Sequence, residues 1–300
     1  MNKNFKNMKT LIFFIISMVV FGTIGWFVKN ISDFLSSGEI ALYRAIMAII
    51  VIGSYLLITK QKIEFKKLKK ELPILLLSGI AMGINWILLF EAYKYTTVTV
   101  ATLSYYFAPV IVMVLCPILF REKMTIKQII CFTGSTIGLV LIMGITNIGK
   151  EALSLKGIGL GLGAACFYAT VILLNKFIKN IDGIKRTFIQ FISSLIVLIP
   201  YVLLTSGINI GSLNTKGLIS LLIIGIIHTG VAYCLYFSSL KELSGQKVSI
   251  LSYIDPFVAI LVSHFLLFED ISTSQLIGGI LIIFFTLFNE ITLKKKEKEV

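Results

Sequence analysis

One acid in this sequence stands where an acid should be costly. In YIDPFVAILVSHFLLFED, residues 253–270, Asp255 precedes a proline inside an apolar run. A carboxylate at the centre of a lipid-spanning helix costs about 2.5–3.5 kcal/mol on insertion scales, so such acids mark a partner, water or a function. There it can hold a cation or exchange a proton. Other polar and aromatic side chains are scattered through the apolar runs: Trp26, Asn85, Trp86, Tyr105, Tyr106, Tyr168, His228, Tyr233 and Tyr253. Tyr and Trp each combine a broad apolar face with one hydrogen-bonding group, and their π-faces attract cations. With Asp255 these are the candidate substrate-binding residues. They suit an amphipathic solute, aromatic or zwitterionic.

Each of these residues also has a plainer reading. A Tyr or Trp near the end of a span anchors the interface, which fits Tyr93, Tyr201 and Trp26. Asn85 and Asn175 can bond a neighbouring helix. Arg44 cannot lose its charge, so it either snorkels to the headgroups or meets a substrate; Gln190 holds the equivalent place later in the chain. Glu122 and Glu269 are expected to cap or pair with loop cations, and Glu91 with Lys94 or Lys29. His228 is a stronger functional candidate than His264, and with Asp255 it is a candidate protonation site. Cys116, Cys131, Cys166 and Cys234 all lie in apolar runs and read as packing residues. No His, Asp or Glu set has metal-ligand spacing, no Gly-rich phosphate loop is present, and no nucleophile is matched with a base. The expectation is no catalytic residue, no metal, no cofactor and no enzyme activity.

The elements that carry these residues are set by composition. Of 300 residues 57% are hydrophobic and 14% charged, with a mean hydropathy of +0.93; a soluble chain carries about 25% charged residues. Apolar runs long enough to cross about 30 Å of hydrocarbon fall near residues 9–29, 39–59, 72–93, 98–120, 126–146, 157–177, 187–206, 217–237, 248–268 and 274–293. The first is too long for a secretory leader and lacks a small-residue cleavage site at Trp26–Phe27–Val28. With both termini cytoplasmic, nearly all Lys and Arg fall on the cytoplasmic side, leaving Lys29, Lys94, Lys150, Lys156 and Lys216 opposite. The net charge of +13 is thus a topology signal, and nucleic-acid binding is not expected.

The chain also repeats itself. YFAPVIVMVLCPILFREK (106–123) aligns with residues 253–270, matching Tyr106 to Tyr253, Pro109 to Pro256 and Glu122 to Glu269. The same spacing matches Gly83 to Gly230, Phe90 to Phe237 and Gln128 to Gln275. Two units of five spans follow, and because five is odd the second enters the membrane inverted. The expected fold is therefore an all-α polytopic membrane protein, with ten transmembrane helices as two inverted five-helix repeats around a central cavity. Its divisions are 1–146, 147–293 and a basic cytoplasmic tail, 294–300. Pro109 and Pro256 free a backbone carbonyl and kink their helices, which is expected to make hinges. Asp255 breaks the symmetry, standing where the first copy has Ala108.

With FGTIGWFVKN in the first run, LYRAIMA in the second and Y-x-x-P…L-F-x-E in both halves, the chain resembles the EamA-type ten-helix exporters of the drug/metabolite transporter superfamily, over about residues 10–293. The resemblance implies movement of small metabolites, often amino acids, across the cytoplasmic membrane. It implies a cavity lined by the first, third, fourth, sixth, eighth and ninth helices, and export as the direction. The leading expectation is a secondary transporter working by alternating access. A passive small-solute channel, a flippase for a lipid-linked sugar and a membrane enzyme are the alternatives. Expected partners are a small-molecule substrate, the lipid bilayer and protons as candidate coupling ion, in a monomer or weak homodimer.

Overall fold

The structure is a computed structural model, which describes residues 3–61, 65–96, 101, 104–142, 154–240, 242–267 and 272–296. Among these residues all regular structure is helical. The helices are α1 (Lys3–Gly22), α2 (Ile24–Lys29), α3 (Ser37–Ile58), α4 (Phe65–Tyr95), α5 (Ala108–Phe120), α6 (Ile126–Ile142) and α7 (Leu155–Phe177). They continue with α8 (Gly183–Thr205), α9 (Thr215–Ile223), a π-helical segment (Ile224–Val231), α10 (Ala232–Leu240), α11 (Gly245–Leu251), α12 (Ile254–Leu267) and α13 (Thr273–Lys296). Among the described residues, 7 rods are long and apolar enough to cross a membrane: Met8–Lys29, Ser37–Ile58, Lys69–Leu89, Leu155–Phe177, Gly183–Thr205, Thr215–Leu240 and Gly245–Leu266. Shorter apolar helices, Ala108–Phe120, Ile126–Leu141 and Thr273–Asn289, occupy the fourth, fifth and tenth expected spans.

Polar residues start several rods. Ser36 and Glu39 form a capping box, each side chain taking the other's backbone N–H, which satisfies two of the donors a helix start leaves over. Glu39 is wholly buried and also accepts from the Asn209 backbone N–H at 2.6 Å. Ser154, Asp182, Asn214 and Ser244 cap α7, α8, α9 and α11. Large apolar side chains such as Leu57, Leu204 and Phe265 remain exposed on the outer surface, where a lipid solvent would meet them.

The rods pack mainly across the two halves of the chain. α4 lies along α7 and α8, α3 along α8 and the π-helical segment, and α1 along α10 and α12. α5 lies along α7 and α11, and α6 along α13. Exchanging the halves maps these pairings onto one another. The α4–α7 pair becomes α10–α1, the α4–α8 pair becomes the π-helical segment on α3, and α5–α7 becomes α12–α1. Glycines let the backbones approach. A Cβ on Gly79 would collide with the Gln190 carbonyl and lie 2.5 Å from Ser193 Cβ; one on Gly22 would lie 2.6 Å from the Asp255 carbonyl oxygen.

Interruptions in the rods shape the interior. α1 breaks at Thr23, and the chain turns at Tyr106–Phe107 before α5 and at Ser252–Tyr253 before α12. Pro109 and Pro256 therefore stand in first turns, where a missing N–H costs no hydrogen bond. This corrects the expectation of proline kinks within continuous helices. The backbone bonds around the second break are long: Tyr253 N to Ile250 O is 3.3 Å, and Asp255 N to Ser252 O and Phe257 N to Tyr253 O are each 3.4 Å. Asp255 consequently sits at a helix start, where the helix dipole favours negative charge.

Candidate functional site

The π-helical segment organises the interior. Its wide turn carries Thr229, whose hydroxyl donates to the Ile224 carbonyl at 2.8 Å, five residues back. α3 comes close here, because a Cβ on Gly225 would lie 2.5 Å from Met47 Cβ. Arg44 on α3 points inward and donates from Nε to Thr229 Oγ1 at 3.1 Å. Its side chain is only 8% exposed. The guanidinium carbon lies 4.6 Å from the centre of the Trp86 ring and 5.9 Å from that of Tyr233, both in cation–π range. The outward snorkelling considered for Arg44 is not what the fold adopts.

Aromatic rings from both halves close around this charge. Tyr233 on α10 is central, with Phe21 at 4.9 Å, Phe191 at 5.4 Å and Phe237 at 5.5 Å, ring centre to ring centre. Trp86 stacks on Phe191 and meets Tyr233 edge-on. Tyr236 shares a 3.0 Å hydrogen bond with Tyr168, and Tyr105 stacks on Tyr168 at 5.3 Å. Asp255 is within electrostatic reach of Tyr106, Tyr168, Tyr233 and Tyr236. Among the described residues the ion pairs are Lys94–Glu91, Lys176–Glu122 and Lys185–Asp182, and none involves Arg44 or Asp255.

The other expected site residues take other partners. Tyr253 is buried among Phe132, Leu139 and Ile282, with its hydroxyl 2.9 Å from Thr136 Oγ1. It stands two residues before Asp255, on the other side of the turn at Ser252–Tyr253. Trp26 packs edge-on against Phe27 and lines a recess of about 410 Å³ with Asn30, Lys216 and Ser220. His228 is buried, with Nε2 2.8 Å from Thr23 Oγ1 and its ring 5.1 Å from Phe27; it ties the π-helical segment to the break in α1. Asn85 donates to the Ala164 carbonyl at 2.7 Å and Asn175 to Ser78 Oγ at 3.0 Å, both bonds between helices.

Polar groups at the rod ends hold the halves together. Glu122 pairs with Lys176 at 2.7 Å and accepts from the Gly245 N–H at 2.9 Å. Glu91 pairs with Lys94 and takes a hydrogen bond from Tyr201. Glu71 accepts from the backbone N–H groups of Lys179 and Asn180. Glu269 lies outside the described residues. Sequence reasoning passed over Arg186, counted among loop cations. It is wholly buried and donates to the carbonyls of Asn175, Ile178, Ile181 and Phe237.

Many apolar rods around a charged aromatic interior define a multi-pass membrane protein of the transporter class. The EamA-like transporter family matches residues 8–144 and again 155–290, and the chain belongs to that family. It is 36% identical over 252 residues to "Uncharacterized transporter YxxF" of Bacillus subtilis, with 82% of this chain and 78% of that protein covered. It is 28% identical to an uncharacterized transporter of Archaeoglobus fulgidus, covering 90% and 92%. It is 26% identical to Protein PecM of Dickeya dadantii, covering 69% of each. A solved crystal structure shares the fold at a TM-score of 0.79 and 13% identity, covering 92% of this chain and 95% of that one.

Proposed function

We propose that the protein is a secondary transporter that exports a small amphipathic metabolite, an amino acid or similar solute, across the cytoplasmic membrane by alternating access. The observation that carries this reading is the aromatic cluster around buried Arg44, to which residues of both halves contribute. Intramembrane charges without an ion-pair partner mark substrate and ion paths. The doubled family match and the pairings that map onto one another on exchange of halves support ten spans in two inverted repeats, 1–146 and 147–293, with 294–300 a cytoplasmic tail. The excess of Lys and Arg on one side supports cytoplasmic termini.

Asp255 is the proposed proton site. Tyr106, Tyr168, Tyr233 and Tyr236 are within its electrostatic reach, so its charge state would be felt across the aromatic cluster. The test is counterflow in proteoliposomes with amino acids, amines, nucleosides and vitamins, with and without a proton gradient. Saturable counterflow of at least one solute is expected, accelerated by the gradient. Asp255→Asn should abolish the acceleration and flatten the pH profile while counterflow persists. Flux that never saturates would instead indicate a passive channel, and a gradient without effect removes the proton coupling.

A further inference from the structure

The protein buries two arginines in opposite ways. Arg186 is wholly enclosed and spends its terminal nitrogens on four backbone carbonyls. Those carbonyls lie at or beside rod ends, where acceptors are left over. Arg186 is thus a structural clamp. Arg44 is 8% exposed, and its Nε donates to Thr229 Oγ1. Its guanidinium carbon lies 4.6 Å from the centre of the Trp86 ring and 5.9 Å from that of Tyr233. Among the described residues, no carbonyl or carboxylate accepts from its terminal nitrogens.

A buried guanidinium without an anion is a costly arrangement. With the Nε edge held, the terminal nitrogens form the fork that takes a carboxylate through two parallel hydrogen bonds. Asp255, an acid of opposite sign, is within electrostatic reach of Tyr233, as Arg44 is, and among the described residues the two charges form no ion pair.

We infer that Arg44 is the anion-recognising residue of the interior, and that it takes the carboxylate of a small zwitterion. This rests on the transporter reading above. It deepens that reading by assigning the carboxylate end of the ligand to a side chain. Thr229 is the positioning residue, because its hydroxyl passes the Arg44 contact on to the Ile224 carbonyl and so anchors the side chain in the π-helical turn.

The test uses the purified full-length protein in lipid nanodiscs, with isothermal titration and thermal shift. The probes are the twenty common amino acids, plus matched sets that remove one charge each: L-phenylalanine, phenethylamine and 3-phenylpropanoate, and L-leucine, isoamylamine and 4-methylpentanoate. Dihexanoyl phosphatidate serves as a lipid-borne anion. At least one zwitterion is expected to bind, and to lose roughly ten- to a hundredfold in affinity when its carboxylate is removed, the range of a hydrogen-bonded charge pair. Arg44→Gln should erase that discrimination by weakening the zwitterion while sparing the amine. Arg44→Lys, which keeps the charge if Arg44→Gln fails to fold, should retain part of it, and Thr229→Val should narrow it. The inference is overturned if amines bind as well as their parent zwitterions, if the Arg44 variants discriminate as well as the native protein, or if no carboxylate in the panel binds. Preference for phosphatidate over every zwitterion also overturns it. Flux is measured separately: binding that depends on Arg44 without counterflow would sink the transport reading and leave the Arg44 assignment standing.

Discussion

At the scale of single residues, the structure separates charges that hold the fold from charges left among aromatic rings. Arg186 belongs to the first kind. Replacing it with Met would strand its four carbonyl partners, at about 1–3 kcal/mol for each one left dry. Arg186→Met should therefore lower the melting temperature sharply, while any folded fraction keeps the ligand preference of the native protein; an unchanged melting curve would refute the clamp. Neither arginine's role was legible in the sequence. Arg44 lies far enough from a span end to point either way, and only the π-helical turn beneath it decides the direction. Arg186 reads as one more basic residue at a loop, because its carbonyl partners come from two separate places along the chain, residues 175–181 and Phe237.

At the scale of elements, the rods were readable and their interruptions were not. Runs of apolar residues marked the spans, since lipid-facing and packed faces alike are apolar. The match of Tyr106 and Pro109 to Tyr253 and Pro256 located the two places where rods break. It did not reveal that the helices restart there, or that Tyr253 packs against Phe132 and Thr136. No residue pattern announces the extra residue per turn in IGIIHTGV either. The close crossing of α4 and α8 is testable. Gly79→Val would force a branched side chain into the Gln190 carbonyl and Ser193, an overpacking worth about 1–3 kcal/mol. A lower melting temperature with weakened ligand binding is expected, because Trp86 and Phe191 stack across the same crossing. Wild-type stability would show that the crossing yields.

At the scale of the whole molecule, Glu122 and Lys176 join α5 to α7, and Glu122 also holds the first N–H of α11. This link spans the halves at one end of the molecule. Glu122→Gln keeps an acceptor for Gly245 but removes the charge pair. If the halves rock, that end should open more often; about 1.4 kcal/mol of lost stabilisation is a tenfold change in an equilibrium. Cys116 is buried against Gly245 at the same end, so its alkylation by a maleimide should rise several-fold. Unchanged alkylation would show that the pair does not govern opening. The cross-half packing has a further consequence, for biosynthesis. Residues up to about 142 emerge with α1, α3, α4 and α5 all lacking their principal packing partners, which lie in the chain still to be made. Their glycine-lined faces stay unmated until translation is nearly complete. The slow event in maturation should thus be docking of one inserted half onto the other, and each half expressed alone should be a substrate for membrane proteases that coexpression rescues.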